Sequence, residues 1–274
     1  MDITRYANLL VLIMTISLVM IMYIIRYFWI HGLSSSRPSV DQPVHFVSFA
    51  GNGEIHRLNQ DLQKIPNKQF IPNLVHAHYI NDETIGADYY ARLCPLLKDS
   101  SRGFHYWSWK PYIIHETMKN SAPGSMIVYL DAGAYLVRDI QPLLEYANVY
   151  GRVLFQNLHD NTKYCKCEPV YTQLHTDTER QTFRHTLQLD AAFLILKNTT
   201  VNQAFVQEWM DLCLTYSLVS DTTSMSCKED AGFLDHRHDQ ALLTLVAFKN
   251  QKGQKMLHAP LKYSYIHHHR RRVI

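Results

Sequence analysis

Short apolar runs of strand type alternate with helical patterns along most of this chain, and this alternation limits the fold more than any other feature. A run such as 126–130 (MIVYL) contains apolar residues only, which is typical of a strand buried on both faces of a sheet. Strands alternating with helices favour an α/β fold with right-handed crossovers. Strands are predicted at 44–50, 74–80, 126–130, 151–155 and 191–196, and helices at 54–64, 89–97, 110–119, 201–216 and 239–249.

An uncharged apolar segment precedes this region, between Arg5 and Arg26. A helix needs about 17–25 apolar residues to cross a bilayer core, and the aromatic residues at 27–29 are typical of a membrane interface. We therefore expect a short tail at 1–6, a transmembrane signal-anchor helix at 7–29, a stem at 30–43 and one domain at 44–274. A cleaved signal peptide and a buried core helix are the alternatives.

The orientation of this anchor is not fixed by charge, since Arg5 lies before the span and Arg26 and Arg37 lie after it. The sequon at Asn198 and the five cysteines are compatible with a body in the secretory lumen. We expect a single-pass type II protein facing the Golgi or endoplasmic reticulum lumen if the chain is eukaryotic, and a membrane-attached protein otherwise. The lipid bilayer is then a partner through residues 7–29.

Charge and missing motifs exclude several classes of function. Lys and Arg number 27 against 24 Asp and Glu, a formal charge of +3, and much of the excess lies at 270–272. A nucleic-acid partner is therefore not expected. The sequence contains no GxGxxG after the first strand, no Walker A loop, no GxSxG elbow and no HExxH. Dehydrogenases of the dinucleotide-binding type, phosphate-loop NTPases, α/β-hydrolases and zincins lose support accordingly.

The strongest candidate site begins at Asp131, which directly follows the strand at 126–130. Ligands of open α/β sheets bind outside the carboxyl ends of the strands. An Asp there can ligate a divalent cation, while Ala132 and Gly133 let a phosphate or sugar approach the backbone closely. The alternative is that Asp131 caps the next helix or turn.

A second candidate is the aromatic cluster at 104–112 around Lys110. Aromatic rings can stack on a base or sugar, and the ammonium group can neutralise a diphosphate. Packing in the core is the alternative for Trp107 and Trp109. Lys110 is harder to bury without a purpose, because lysines are almost never fully buried unpaired.

Further polar candidates lie downstream. The segment 235–240 precedes an apolar helix and either lines a pocket or supplies N-cap and first-turn acids such as Asp239. Asp190 opens a strand, and the imidazoles at 267–269 either complete a metal site or belong to a solvated tail. Cys165 and Cys167 are too close together for a zinc knuckle, which favours disulfides to other cysteines.

Taken in order, three segments resemble a group of GT-A fold, nucleotide-sugar-dependent glycosyltransferases: RGFHYWSWKPYII at 102–114, YLDAG at 129–133 and HRHDQ at 236–240. The resemblance covers most of residues 44–272. It implies an α/β fold with a GT-A-like (Rossmann-like), mixed, mostly parallel sheet flanked by helices and preceded by the transmembrane helix. It also implies transfer of a sugar from a nucleotide-sugar donor to a glycan, lipid or protein acceptor.

The same resemblance implies roles for individual residues. Asp131 stands at the first position of the family's DxD motif, which holds Mn²⁺ or Mg²⁺ on the donor diphosphate, while Gly133 stands where the second Asp would be. A late histidine, His267 or His268, is the implied further metal ligand, and Asp190 and Asp239 are the implied catalytic carboxylates. The implied donor-binding residues are Phe49, Ala50, Trp109, Lys110, Asp131, Ala132, Gly133 and Gln240.

Two rival hypotheses accompany this one. The first is a catalytically inactive GT-A-like protein that binds sugars or acts as a scaffold at a membrane, which the missing second Asp motivates. The second is an unrelated structural or interaction protein whose aromatic and histidine-rich segments serve packing and surface roles.

Overall fold

The computed structural model describes residues 41–51, 54–100, 102–250 and 257–268 of the chain. The predicted anchor at 7–29 and nearly all of the predicted stem at 30–43 lie outside these ranges. Within them, no helix combines the length and the apolar character that crossing a membrane requires.

The strands of the described ranges form two sheets. They are β1 (Val44–Ala50), β2 (Leu74–Asn81), β3 (Met126–Leu130), β4 (Ala134–Leu136), β5 (Arg152–Asp160), β6 (Leu187–Lys197), β7 (Leu257–His258) and β8 (Ile266–His268).

The longer helices are α1 (Glu54–Asp61), α2 (Lys64–Phe70), α3 (Ala87–Arg92), α4 (Trp109–Lys119), α5 (Gln141–Tyr150), α6 (Cys167–Gln173), α7 (Asp177–Arg184), α8 (Thr200–Cys213) and α9 (His238–Lys249). Single turns occupy Pro95–Lys98, Gly103–Tyr106, Asn161–Tyr164, Tyr216–Val219 and Ala259–Lys262.

The main sheet has six strands in the order β2-β1-β3-β6-β5-β7. β1 pairs in parallel with β2 and β3, and β5 pairs in parallel with β7. β6 is antiparallel to both of its neighbours, β3 and β5. The predicted α/β architecture, with a mixed, mostly parallel sheet flanked by helices, is therefore confirmed.

The reversal of β6 has a consequence for the site. Because β6 runs against the other strands, its first residues lie beside the carboxyl ends of β3 and β5. The backbone N–H of Asp131, just after β3, donates to the carbonyl of Ala192 on β6 at 2.9 Å. Asp190 on β6 is paired in register with Phe155 of β5. Asp131 and Asp190 are thus brought to one edge of the sheet.

Both faces of the sheet are covered by hydrophobic side chains. On one face α4, α8 and α9 contribute Ile113, Trp209 and Leu243, each almost completely buried. On the other face α5 packs its Leu143 and Leu144 against the sheet. A strand such as β3, apolar at every position, can be buried only between two such layers.

The second, two-stranded sheet adds the end of the described chain to the site. β4 follows Asp131 by three residues and pairs antiparallel with β8, with Ala134 opposite His268 and Tyr135 opposite His267. This pairing carries the 266–268 segment back across the chain to the carboxyl end of β3.

Three sequence-based predictions about helices need correction. The helix predicted at 54–64 ends at Asp61, and a second helix begins at Lys64. The apolar residues that have helical spacing here are exposed: Leu58 at 53%, Leu62 at 53% and Ile65 at 77%. The helix predicted at 89–97 breaks at Cys94, which is extended because a residue before proline avoids the helical region. The helix predicted at 201–216 ends at Cys213, and a separate turn begins at Tyr216.

The sequon at Asn198 does not offer an accessible glycosylation site in this fold. Its side chain is 2% exposed, and its amide donates to the carbonyls of Met118, Ser121 and Ala122 at 2.8 to 3.2 Å. A side chain held in this way ties α4 to the end of β6, so the sequon gives no support for a lumenal body.

Candidate active site

Two adjoining clefts open at the carboxyl ends of β1 and β3. The first, of about 760 Å³, is lined on one side by aromatic rings, including Phe49, Phe104 and Trp109, and on the other by the loop 131–133. The second, of about 470 Å³, is lined mainly by charged and amide side chains, including Asp190, Asp239 and Gln240. Asp131, Trp107 and His268 line both clefts and so form the boundary between them.

Lys110 joins two of the carboxylates at this boundary. Its Nζ lies 2.8 Å from Oδ2 of Asp239 and 3.3 Å from Oδ1 of Asp131, and its side chain is 3% exposed. Lys110 lies in the first turn of α4 and Asp239 in the first turn of α9. The packing of these two helices on one face of the sheet therefore sets the distance between the charges.

Burial and the neighbouring charges shift the pKa values of Lys110 and Asp239. Burial disfavours a charged lysine, but the two carboxylates outweigh burial and raise the pKa of Lys110. Burial raises the pKa of Asp239 to about 6, with Lys110 acting in the opposite direction. The cluster therefore holds a permanent cation beside a carboxylate that changes protonation near neutral pH.

Asp131 is bound on one of its oxygens only. The hydroxyl of Tyr129 donates to Oδ1, the same oxygen that faces Lys110. Burial, followed by the Asp131 charge, raises the pKa of Tyr129 well above its ordinary value, so this hydroxyl keeps its proton. Among the described residues no contact involves Oδ2 of Asp131, and its side chain is 34% exposed. Asp131 lines both clefts, so a bound ligand can reach its carboxylate.

Asp190 is held by a residue near the end of the described chain. Lys262 donates from Nζ to Oδ2 of Asp190, and the backbone N–H of Ala192 donates to Oδ1 at 2.8 Å. Lys262 is 1% exposed and Asp190 is 9% exposed. Because each buried charge has a partner, the pair avoids the cost of an isolated ion in the interior.

A left-handed backbone turn separates the two clefts. Five consecutive residues, 103–107, have φ between 47° and 59°. Four of them are not glycine, and left-handed backbone costs such residues roughly 1–2 kcal/mol each. The turn brings the rings of Tyr106 and Trp107 to 4.8 Å and 5.5 Å from the ring of His238.

The turn is braced by an ionic clamp on its N-terminal side. Arg102 donates to Asp221 at 2.9 Å and to Asp235 at 2.9 to 3.1 Å. The loop that carries these two acids is linked to α6 by a disulfide between Cys167 and Cys227. The predicted disulfide is thus present for Cys167 and not for Cys165. Cys94, Cys165 and Cys213 have free thiols.

The structure distributes the predicted site residues unevenly. Phe49, Trp109, Ala132 and Gly133 line the aromatic cleft, whereas Gln240, Asp190 and Asp239 line the charged one with Lys110. Ala50, a predicted donor-binding residue, is 1% exposed and lies behind Phe49 on the opposite face of β1. These placements leave the predicted roles as predictions.

The two predicted histidine ligands fall on opposite faces of β8, because successive strand residues alternate. His268 lines both clefts, while the ring of His267 lies 5.4 Å from that of Tyr135. Within the described part of the chain, no three His, Cys, Asp or Glu side chains converge as a metal site would require. Asp131 and His268 thus supply two potential ligands, an oxygen and a nitrogen.

Sequence reasoning overlooked several residues of the clefts. Arg102 is the first residue of the 102–114 segment, so its place in that motif could have identified it. Lys262 and Tyr263 lie in a segment with no motif of their own, and only the return of β8 to β4 brings them to the site.

Comparisons with known proteins give limited likeness. No protein-family model matches the chain, and no curated protein matches it. Among solved structures, the chain is similar to the apo form of mouse xyloside xylosyltransferase 1, with a TM-score of 0.40 and 11% identity over 79% of this chain and 84% of that one. It is also similar to the apo WbbM bifunctional glycosyltransferase, with a TM-score of 0.46 and 9% identity over 83% of this chain and 40% of that one. At these values the two likenesses carry no weight in the function proposed below.

Proposed function

We propose that this protein is a GT-A-like glycosyltransferase that moves a sugar from a nucleotide-sugar donor to an acceptor hydroxyl. The observation that carries the proposal is the pair of clefts, one aromatic and one rich in carboxylates, that share Asp131 at the carboxyl end of β3. Two substrates of different chemistry can meet at such a boundary, and motifs that resemble a transferase signature line it.

The aromatic cleft suits the nucleotide half of the donor. Phe49 stacks on Trp109 with ring centroids 4.0 Å apart and on Phe104 at 5.5 Å. Phe49 and Trp109 are themselves buried in the core, so the half-buried ring of Phe104 is the face of this stack that we propose for a base or ribose. The loop 131–133 leads from this stack toward Asp131. An added Cβ at Gly133 would meet no atom within 4 Å, so the backbone there is open to a diphosphate.

The transfer step exchanges one bond for another. The acceptor oxygen forms a bond to the anomeric carbon while the bond from that carbon to the diphosphate oxygen breaks, and the nucleoside diphosphate leaves with the electron pair. Asp239, in its ionised form, takes the proton of the acceptor hydroxyl. Lys110 keeps Asp239 and Asp131 at a fixed separation, and Asp190 accepts hydrogen bonds from sugar hydroxyls.

A divalent cation, Mn²⁺ or Mg²⁺, is part of the proposal. Oδ2 of Asp131 and the imidazole of His268 would hold it, and the remaining ligands would come from the donor diphosphate and water. An oxygen and nitrogen donor set of this kind suits Mn²⁺ better than Mg²⁺, which prefers oxygen alone. When bound, such a cation neutralises charge on the leaving diphosphate.

A thermal-shift screen tests donor binding. The full chain in detergent would be melted with UDP, GDP, ADP and CMP, each with and without Mn²⁺. A ligand that binds only the folded state raises the midpoint by mass action. A shift with one nucleotide supports the donor site, and its dependence on Mn²⁺ tests the metal. No shift with any nucleotide would contradict the proposal, and binding without turnover would favour the inactive sugar-binding alternative.

Replacing Asp131 by Asn tests the residue at the boundary. We expect turnover to fall by at least about 100-fold, because the change removes the charge shared by both clefts. The melting midpoint should change by no more than a few degrees, since the residue is one-third exposed. Asp88→Asn, at an exposed acid on α3, is the matched control and should keep full activity. Unchanged turnover in Asp131→Asn would remove this residue from the mechanism.

We further propose that residues 7–29 anchor the protein in a membrane. The support is the uncharged sequence between Arg5 and Arg26, together with the interfacial aromatics that follow it. The Cys167–Cys227 disulfide is compatible with a body in an oxidising compartment such as the secretory lumen. Alkaline carbonate extraction of membranes tests the anchor, and protease protection of the body in sealed vesicles tests its orientation. Release of the full chain into the supernatant would contradict the anchor.

A further inference from the structure

The outer rim of the second cleft carries an aromatic side chain that the mechanism above does not use. Tyr263 is 55% exposed although it lines a cleft whose floor is made of buried charges. Its ring does not belong to the hydrophobic clusters of the described residues, although the neighbouring Tyr265 and Ile266 do. Its surroundings therefore indicate what it could bind.

The ring of Tyr263 lies against two other residues that line the same cleft. The Nζ of Lys262 lies 4.7 Å from the centre of the Tyr263 ring and binds the carboxylate of Asp190. The ring of His268, at the boundary of the two clefts, approaches Tyr263 edge-on at 6.0 Å. The aromatic face thus stands next to a fixed carboxylate and next to the point where the clefts meet.

Amide groups complete the lining near this ring. Gln240 donates from Nε2 to Oε1 of Gln188 at 2.7 Å, which fixes the orientation of its amide. Gln240 lines the cleft, and its Oε1 accepts no hydrogen bond from the described residues. Asn157 and His159 lie on the same side. An aromatic face beside oriented amides and a carboxylate offers both apolar contact and hydrogen bonds.

We infer that Tyr263 is an acceptor-binding residue and that the acceptor is a carbohydrate, an inference that rests on the proposed glycosyl transfer. One face of a pyranose ring presents C–H groups, which pack on an aromatic ring, and its edge presents hydroxyls, which bond to carboxylates and amides. Stacked on Tyr263, a sugar directs its hydroxyls toward Asp190 and Gln240. The acceptor hydroxyl then faces the boundary at Asp131.

The other acceptor classes fit this cleft less well. A lipid chain would cover polar groups of this lining, such as the amide of Gln240, without offering them hydrogen bonds, which is unfavourable. A peptide would need backbone partners along an extended surface, whereas the polar groups here converge on one small volume. The chemistry of the lining therefore favours a sugar.

Acceptor kinetics of the full chain provide the test. The acceptors are the methyl glycosides of glucose, galactose, xylose, mannose and N-acetylglucosamine. The donors are UDP-glucose, UDP-xylose, UDP-N-acetylglucosamine and GDP-mannose. The variants are Tyr263→Ala, Tyr263→Phe and the control Tyr150→Ala, a tyrosine of similar exposure, 43%, at the far end of α5.

We expect Tyr263→Ala to raise the acceptor KM by about tenfold, since loss of one aromatic contact has roughly this effect. The release of nucleoside diphosphate without acceptor should stay within about twofold of wild type, because Tyr263 does not line the donor cleft. Tyr263→Phe keeps the ring and should restore the KM, and Tyr150→Ala should leave it unchanged. An unchanged KM in Tyr263→Ala, or release of nucleoside diphosphate with transfer to none of the glycosides, would overturn the inference.

Saturation-transfer NMR with the same methyl glycosides separates this inference from the proposed function. Failure of wild type to release nucleoside diphosphate from any of the four donors would count against the transferase. The sugar subsite would still be judged by binding alone: glycoside signals present in wild type and lost in Tyr263→Ala support it. Signals that are absent in wild type, or equal in both proteins, overturn it.

Discussion

As the pH rises through the pKa of Asp239, this residue should support activity more and stability less. It is fully buried beside Lys110, and burial raises its pKa from 3.8 to about 6. A carboxylate in this range is a suitable general base at neutral pH, because it is mostly ionised there and still basic. The same shift means that the folded protein holds this proton more tightly than the unfolded chain does. Activity and stability are therefore linked through one residue.

The sign of each effect can be worked out. Between about pH 4 and pH 6 the folded protein keeps the Asp239 proton that the unfolded chain has lost, so the contribution of Asp239 to stability falls as pH rises through this window. Transfer should rise over the upper part of the same window as the base ionises. We expect urea denaturation of Asp239→Asn between pH 4 and pH 7 to show a shallower fall in stability than wild type. Equal slopes in the two proteins would show that Asp239 does not titrate in this range.

At the scale of elements, the left-handed turn at 103–107 is the feature that most depends on a single position. Gly103 has φ of +59°, and an added Cβ would lie 2.4 Å from ring atoms of Trp107. Either the ring or the backbone must then move. Since Trp107 borders both clefts and Lys110 follows it by three residues, such movement would reach the charged cluster.

We predict that Gly103→Ala lowers the free energy of unfolding by more than about 1 kcal/mol and lowers turnover as well, because both the conformation and the space exclude a side chain. Denaturant melts and nucleoside diphosphate release measure the two effects. Gly232→Ala is the matched control: its added Cβ would meet nothing within 4 Å, and Gly232 lines neither cleft. If both variants behaved alike, the turn would not be the structural constraint that its geometry indicates.

At the scale of the whole molecule, Lys262 links the end of the described chain to the middle of the main sheet. Removing one partner of a buried ion pair leaves the other charge uncompensated, which typically costs about 3–5 kcal/mol. We expect Lys262→Met to destabilise the protein by an amount of this order in urea melts.

Lys249→Met provides the comparison for this variant. Lys249 is also paired, with Glu208, but its side chain is 28% exposed, so its loss should cost less than about 1 kcal/mol. A second variant, Lys262→Met combined with Asp190→Asn, should recover part of the lost stability, because no unpaired charge remains. Similar losses in Lys262→Met and Lys249→Met would show that the Asp190 pair is not buried in solution.

Local patterns were enough to predict the sheet and its flanking helices, but not every contact of the site. β1 and β3 have the predicted bounds, and β3 is apolar at every position, as is typical of a strand buried on both faces. The exposed Leu58 and Leu62 show the limit, since helical spacing does not say whether a face finds a partner. The helix α5 was not predicted although its buried Leu143, Leu144 and Ala147 have helical spacing, whereas α7 buries Phe183 and offers no such apolar pattern.

The residues of the site also divide into those that the sequence indicates and those that only the fold brings together. Asp131, Lys110 and Asp239 were singled out because charged residues next to apolar runs are conspicuous in a sequence. Lys110 contacts both acids because of how α4 and α9 pack. These two helices are more than a hundred residues apart along the chain, so no local pattern could show the contact. Lys262 and Tyr263 depend on the pairing of β4 with β8, which no local pattern specifies.

The late position of Lys262 and β8 has a consequence for biosynthesis. A ribosome that has made the main strands has still not released the lysine that neutralises Asp190 or the strand that pairs with β4. Until those residues emerge, the nascent body carries a carboxylate without its counter-ion at the centre of its sheet. The clefts consequently reach their final charge only after Lys262 has emerged, and a chain cut before this residue would leave Asp190 without its counter-ion.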